Sequence, residues 1–234
     1  MAIAARQPYN RVYVMLNAIK QFLGDMYFLS QARAIHELTR LDPDAKRGLL
    51  ATYAATYDTF VETGTYLGLT AAFLAVAYKI VHTIELDPVL YENAQRRLRS
   101  FPNVHCYHGD SATVLQQILP SINGPAVFWL DAHYTGGITT RAAANTPVMG
   151  ELMAILAHPI KTHLILIDDA RWFVGRNGYP GLRWLHTYVR DHSPYDMVIH
   201  DDIIRIFRDD EWTRPQSFLT NDPEPVTRIP ASAA

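Results

Sequence analysis

The stretch FVETGTYLG, residues 60–68, places an apolar segment, a glycine turn at Gly64 and the beginning of a helix in direct succession. A strand that ends at a glycine turn and leads into a helix is typical of the first βα unit of an open α/β sheet. Ligands of such sheets bind outside the carboxyl ends of the strands. We therefore expect a ligand site at this turn.

The residues around this turn alternate between short apolar runs and segments with helical spacing. The strand-type runs are 60–61, 81–86, 104–108, 126–130 and 164–167, and the helical segments are 69–77, 89–98, 112–119 and 148–157. This alternation indicates right-handed βαβ crossovers. The runs 195–199 and 203–207 flank a polar turn and predict an antiparallel hairpin. The predicted fold is α/β: a Rossmann-like, doubly wound, mostly parallel seven-stranded sheet with a C-terminal antiparallel hairpin and an N-terminal helical extension.

Composition divides the chain into three parts. Residues 1–56 form the helical extension, in which apolar residues such as Val12 and Leu16 recur at helical steps. This extension can pack against the domain, cover the site as a lid or form a homodimer face, and its helical spacing does not distinguish these roles. Residues 57–210 form the α/β domain, and residues 211–234 form a Pro-rich tail.

The bulk composition favours small-molecule chemistry. The 234 residues carry a net charge of −2, so we expect no general attraction to nucleic acid or to an anionic membrane. The sequence has no apolar run of the roughly 18 residues needed to span a bilayer, and we expect no signal peptide. The single cysteine, Cys106, suits a reducing compartment, and a cytoplasmic location is expected.

Acidic residues at the predicted strand ends argue against a dinucleotide and for a cationic cofactor. A nicotinamide fingerprint needs glycine where this chain has Tyr66 and Leu69. Glu62 would repel phosphates, but it suits a cationic ligand such as the aminoacyl end of S-adenosylmethionine (SAM). Glu85 ends the second strand, where a carboxylate can accept hydrogen bonds from both ribose hydroxyls. Asp110 ends the third strand and is placed to meet an adenine amino group.

The chain resembles class I SAM-dependent methyltransferases over roughly residues 58–207. The resemblance rests on the segments ETGTYLG (62–68), IELD (84–87), GDS (109–111) and WLDAH (129–133). It implies SAM as cofactor, with the methionine end, the ribose and the adenine bound in that order. The cofactor-binding residues implied are Glu62, Gly64, Tyr66, Gly68, Glu85, Asp110, Ser111 and Asp131. Tyr66 departs from the family, where a glycine is commoner.

Further acidic residues follow the fourth and fifth strands, and they resemble the magnesium site of catechol-type and macrolide-sugar O-methyltransferases. That resemblance implies Asp131, Asp168 and Asp169 as Mg²⁺ ligands, and His133 with Asp131 as catalytic residues. The adjacent residues Asp168 and Asp169 can bind the same ion only if the strand ends between them, because successive side chains of a strand point to opposite sides. A metal-independent enzyme that uses His133 alone stays open.

Two loops are candidates for binding a small-molecule methyl acceptor. They are residues 134–146, with Arg141, and residues 171–181, with Trp172 and Tyr179. Their aromatic side chains suit a planar or sugar-like acceptor, although packing within the loops explains them equally well.

Structural explanations compete with each of these roles. Gly64 and Gly68 allow a tight turn, Asp87 and Asp110 can cap helices, and Asp131 can order the cofactor edge alone.

We favour O-methylation of a small molecule, such as a natural product or a sugar hydroxyl. A non-catalytic protein that keeps the fold and an NAD-dependent oxidoreductase are the alternatives.

Overall fold

The computed structural model describes residues 40–131 and 146–208. His133, Tyr134, Arg141, the proposed helices before residue 40 and the Pro-rich tail lie outside these residues. Within the described ranges, no helix is long and apolar enough to cross a membrane.

The described residues build one seven-stranded sheet in the order β3-β2-β1-β4-β5-β7-β6. Its strands are β1 (Thr59–Thr63), β2 (Ile80–Glu85), β3 (Val104–His108), β4 (Ala126–Leu130), β5 (Leu164–Ile167), β6 (Asp196–His200) and β7 (Ile203–Phe207). Strands β1 to β5 pair in parallel, whereas β7 pairs antiparallel with both β5 and β6. The predicted doubly wound fold with its terminal hairpin is confirmed.

Helices cover both faces of this sheet. They are α1 (Pro43–Thr52), α2 (Leu69–Leu74), α3 (Pro88–Leu98), α4 (Ser111–Ile118), α5 (Val148–Ala157) and α6 (Leu182–His192). The helix predicted over residues 69–77 ends at Leu74, earlier than expected. The Asn103 amide explains this, because it donates to the carbonyl oxygens of Ala75 and Tyr78 and so stabilises a turn there.

Each face of the sheet has its own apolar core, because successive strand residues point to opposite faces. Phe128 of β4 packs with Leu115 of α4 and Leu152 of α5 on one face. Phe60 of β1 packs with residues of α1, α2 and α3 on the other, including the buried Leu50 of α1. Helix α1, which belongs to the predicted extension, therefore packs against the domain.

Helices α4 and α5 approach each other closely at Gly150. A Cβ atom built on Gly150 would lie 2.9 Å from the Cβ of Ala112. We expect Gly150→Ala to lower the free energy of unfolding by about 1–2 kcal/mol, because overpacking outweighs the gain of roughly 1 kcal/mol in helix propensity. Urea unfolding measures this change. The matched control is Gly150→Ala with Ala112→Gly, which should recover most of the loss; no recovery would show that the helices do not meet here.

Candidate functional site

The turn after β1 has the conformation that its glycines predict. Gly64 and Gly68 have φ of 86° and 70°, and Tyr66 is also left-handed at 49°. The amides of Gly64 and Thr65 both donate to the carbonyl oxygen of Ile84, at 2.9 and 3.1 Å. The turn is thereby fixed to the end of β2, and a Cβ on Gly68 would lie 3.3 Å from that of Ala94. Both glycines are required by the turn, as the structural explanation predicts.

Glu85 links the turns that follow β1 and β2. Its Oε2 accepts from the Tyr66 amide at 2.7 Å, and its Oε1 accepts from the Asp87 amide at 2.9 Å. The residue is buried, and its carboxylate lies at the carboxyl edge of the sheet. Each carboxylate oxygen has a second lone pair, so Glu85 retains the capacity to accept from a diol. Its predicted contact with a ribose stays a prediction.

Glu62 lies beneath the turn and is almost completely buried. Thr83 Oγ1 donates to its Oε2 at 2.8 Å, and the Thr65 hydroxyl lies 2.6 Å from the Thr83 hydroxyl. Burial, with smaller contributions from the charges of Asp131 and Glu85, raises the pKa of Glu62 to about 8. Burial thus favours the neutral form of Glu62, and its role towards a cationic ligand stays a prediction.

The end of β3 joins the same edge of the sheet. The Gly109 amide donates to the carbonyl oxygen of Glu85 at 2.9 Å. Asp110 is the N-cap of α4 and accepts from the Thr113 amide at 3.1 Å. Capping by Asp110, and likewise by Asp87 at α3, is confirmed. The adenine contact of Asp110 stays a prediction, since a carboxylate can cap a helix and accept from a ligand.

Ser111 points towards a carboxylate that the sequence analysis did not single out. Its hydroxyl donates to Oε1 of Glu151, which lies in the first turn of α5. Glu151 is only 1% exposed, and burial raises its pKa to about 7. The signal in the sequence is its position: Val148, Glu151, Leu152 and Ile155 form the buried stripe of α5. A glutamate on such a stripe calls for a polar partner.

A narrow cleft opens between the ends of β4 and β5. Its polar lining comes from Asp131, Glu151, Asp168, Thr146 and Tyr179. The Asp131 amide donates to the Thr63 carbonyl at 3.1 Å, and this bond holds the end of β4 against the end of β1. Burial and the nearby carboxylates Asp169, Asp131 and Glu151 raise the pKa of Tyr179. The cleft therefore brings carboxyl groups and a phenol together beside the β1 turn.

Asp168 is held by a lysine from the N-terminal helix. Lys46 Nζ of α1 lies 2.5 Å from Asp168 Oδ2, and the Asp169 amide donates to Asp168 Oδ1 at 2.9 Å. Burial, followed by the charge of Asp131, raises the pKa of Asp168 to about 6, although Lys46 opposes this shift. Lys46 carries no signal in the sequence, because its partner lies 122 residues away along the chain.

Asp169 belongs to a separate ionic cluster. Strand β5 ends at Ile167, before the pair, and Asp169 has a left-handed φ of 59°. Its Oδ1 lies 2.6 Å from Arg171 Nη1, and the Arg171 guanidinium also binds Asp202 in the β6–β7 turn. The Arg171 amide donates to Asp202 Oδ1 at 2.9 Å. Asp169 thereby ties the end of β5 to the terminal hairpin.

The carboxylates as placed do not fit the predicted three-ligand magnesium site. Asp168 and Asp169 each bind a cationic side chain, Lys46 and Arg171 respectively. Within residues 40–131 and 146–208, no group of three or more His, Cys, Asp or Glu residues is arranged to hold a metal ion. The prediction that Asp131, Asp168 and Asp169 bind Mg²⁺ gains no support, and His133 lies outside the described residues.

The segment 171–181 forms a compact loop beside the cleft. An antiparallel bridge between Val174 and Gly181 closes it. Tyr179 lines both the cleft and an open surface groove, which Trp184 and Arg176 also line. The loop thus places an aromatic ring between the cleft and the surface.

Comparison with known proteins identifies the fold. The sequence matches no protein-family model and no curated protein sequence. Among solved structures, the chain is similar to an O-methyltransferase from Bacillus cereus in complex with SAH (TM-score 0.53, 15% identity, covering 82% of this chain and 97% of that chain). It is also similar to the O-methyltransferase TomG from Streptomyces achromogenes, involved in tomaymycin synthesis, in complex with SAM (TM-score 0.51, 18% identity, 77% and 88% covered).

A third similar structure is the SAH-bound methyltransferase PaMTH1 from Podospora anserina. It has a TM-score of 0.51 and 14% identity, and the match covers 89% of this chain and all of that chain. At these identities the likeness concerns the fold alone. The chain has the Rossmann-like fold that these methyltransferases share.

Proposed function

We propose that this chain is a SAM-dependent methyltransferase. The observation that carries the proposal is Glu85, a buried carboxylate at the end of β2 that also fixes the turn after β1. In an open α/β sheet this is the position from which an acidic side chain binds ribose hydroxyls next to the first turn. The three similar structures, two of them bound to SAH and one to SAM, support the same assignment.

The charge at the sheet edge favours a sulfonium over a pyrophosphate. Asp131 lines the cleft next to the β1 turn, where a nicotinamide dinucleotide would bring its phosphates, and the charge of its neighbour Asp168 is balanced by Lys46. Tyr66 fills the place of the second glycine in the dinucleotide fingerprint. An oxidoreductase is therefore the weaker candidate.

The edge of the sheet at the mouth of the narrow cleft between β4 and β5 is the proposed place of methyl transfer. In this reaction an acceptor oxygen attacks the methyl carbon in line, the carbon–sulfur bond breaks, SAH leaves, and the acceptor proton passes to a base. Asp131 lies where the acceptor and cofactor would meet, beside Glu151 and Tyr179. We propose a hydroxyl of a small molecule as acceptor, with Tyr179 forming one wall of its site.

Two finer parts of the mechanism stay predictions. The resemblance to metal-dependent O-methyltransferases implies Mg²⁺ at Asp131, Asp168 and Asp169, which the ion pairs of Asp168 and Asp169 do not fit, and it implies His133 as a base. A non-catalytic protein with this fold would not need the acidic cleft, so the carboxyl groups that line it favour an enzyme.

Isothermal titration calorimetry with SAM, SAH and NAD tests the assignment. We expect micromolar binding of SAM and SAH and no binding of NAD by the full chain. The same titrations with Mg²⁺ and with EDTA show whether a metal affects binding. Binding of NAD without SAM would establish the oxidoreductase alternative, and binding of none would favour the non-catalytic one.

A further inference from the structure

We propose that the Lys46 ammonium supplies the positive charge at the ends of β4 and β5, in the place where metal-dependent O-methyltransferases hold a divalent cation. This inference rests on the proposed function for its mechanistic meaning. Lys46 is then a positioning residue, which orients Asp168 and balances its charge beside Asp131. The site works with a cation that belongs to the protein.

Lys46 and Asp168 form a close, partly buried ion pair. Lys46 Nζ lies 2.5 Å from Asp168 Oδ2, and the side chains are 22% and 5% exposed. The ammonium also lies 6.0 Å from the ring centre of Trp129, a residue of β4. Lys46 therefore pairs with the residue that follows β5 and lies over the ring of a residue of β4.

The anchoring of α1 makes this placement specific. Its N-cap, Asp42, accepts from the Ala45 amide at 2.8 Å, and Leu49 and Leu50 are buried in the core beneath the helix. A side chain projecting from a helix that is fixed at these points has a defined reach. Lys46 is accordingly held against Asp168 by the fold, in contrast to Lys79, whose ion pair with Asp58 is 76% and 64% exposed.

The carboxylates of Asp168 and Asp169 are already balanced by positive charges of the protein. The Asp168 carboxylate already accepts from Lys46 and from the Asp169 amide, and the Asp169 carboxylate binds Arg171. A divalent ion bound to Asp168 would lie a few ångströms from the ammonium, and the two cations would repel each other strongly in this partly buried place. Lys46 must leave before a metal can enter.

The proposed role of the Lys46 ammonium is best seen beside the role of the metal in metal-dependent O-methylation. A metal lowers the pKa of an acceptor hydroxyl and stabilises the negative oxygen that forms. The Lys46 ammonium acts through Asp168 instead: it holds this carboxylate in one orientation and balances its charge at the edge of the sheet where the negative oxygen would form. We therefore expect transfer by this chain to be unaffected by EDTA.

Binding of Mn²⁺, followed by electron paramagnetic resonance, tests the inference on the full chain. Wild type and Lys46→Arg, which both keep the positive charge, should bind no Mn²⁺ at this site. Lys46→Met should gain at least tenfold in Mn²⁺ affinity, and the added Asp168→Asn substitution should abolish the gain. Equal Mn²⁺ binding by wild type and Lys46→Met, or no gain in Lys46→Met, would overturn the proposal.

Thermal unfolding provides a second measurement, with Lys79→Met as the matched control. Lys46→Met should lower the Tm by roughly 4–12 °C, because it leaves the carboxylate of Asp168 buried without its cation. Lys79→Met removes an exposed pair and should change the Tm by less than about 2 °C. A Tm for Lys46→Met equal to that of Lys79→Met would contradict the proposal. Neither measurement needs SAM, so failure of the cofactor assignment would appear separately, as absence of SAH binding.

Discussion

Replacing Glu85 with alanine is expected to weaken SAM and SAH binding by roughly 10²-fold. Two hydrogen bonds from ribose hydroxyls to a buried carboxylate would be lost, and bonds to charged groups contribute about 1.5–3 kcal/mol each without being fully additive. Every 1.4 kcal/mol corresponds to about a tenfold change in Kd. Calorimetric titration with SAH measures the loss.

The controls for Glu85 must separate binding from folding, since Glu85 also accepts from the amides of Tyr66 and Asp87. Glu85→Gln keeps an acceptor oxygen for one of the two amides but turns its NH₂ group towards the other and loses the charge, so it should fold with reduced stability and bind SAH at least tenfold more weakly. Glu92→Ala alters an exposed glutamate on the next helix and should leave binding unchanged. Wild-type affinity in a folded Glu85→Gln protein would remove the ribose assignment.

Acid should destabilise the protein through His163, by roughly 3 kcal/mol between pH 7 and about pH 4. His163 is 1% exposed, and burial, followed by the charge of His158, lowers its pKa from 6.5 to about 4. A histidine whose pKa is lowered by folding stabilises the protein fully above its unfolded pKa of 6.5. That contribution is lost as the pH falls towards 4, because the unfolded chain binds the proton more tightly.

The hydrogen bonds of His163 explain why its neutral form is favoured. The Ala126 amide donates to His163 Nδ1 at 3.1 Å, so this nitrogen must be an acceptor. His158 Nε2 lies 3.1 Å from the Leu119 carbonyl oxygen, which can only accept. His158 Nδ1 therefore accepts from His163 Nε2, 2.9 Å away. A proton on His163 Nδ1 would face the Ala126 N–H and break this chain of bonds.

Urea unfolding at several pH values, compared between wild type and His163→Asn, measures this contribution. Asparagine keeps an acceptor for the Ala126 amide but does not titrate, so its stability should fall less steeply below about pH 6.5. Glu62 and Glu151, whose pKa values burial raises, act in the opposite direction. They are present in both proteins and cancel in the difference.

His108→Asn, at an exposed position, should keep the wild-type slope, and parallel slopes for all three proteins would exclude His163 as the cause.

The sequence by itself determined the strand and helix order, the terminal hairpin and the turn at Gly64. These features depend on local patterns: apolar runs of strand length, helical spacing, glycines where φ is positive, and aspartates before helices. Gly68 and Asp110 are examples, since each adopts the conformation or cap that its neighbours along the chain require.

The tertiary structure alone decided how the charges of the site are paired. Lys46 meets Asp168 across 122 residues, Ser111 meets Glu151 across 40, and Arg171 meets Asp202 across 31. No periodic pattern in a sequence encodes such pairs, because they depend on how helices pack on a finished sheet. The positions of the strand ends in the sequence were enough to predict where carboxylates gather. The partner that neutralises each carboxylate follows from packing. That partner determines whether the site can hold a metal.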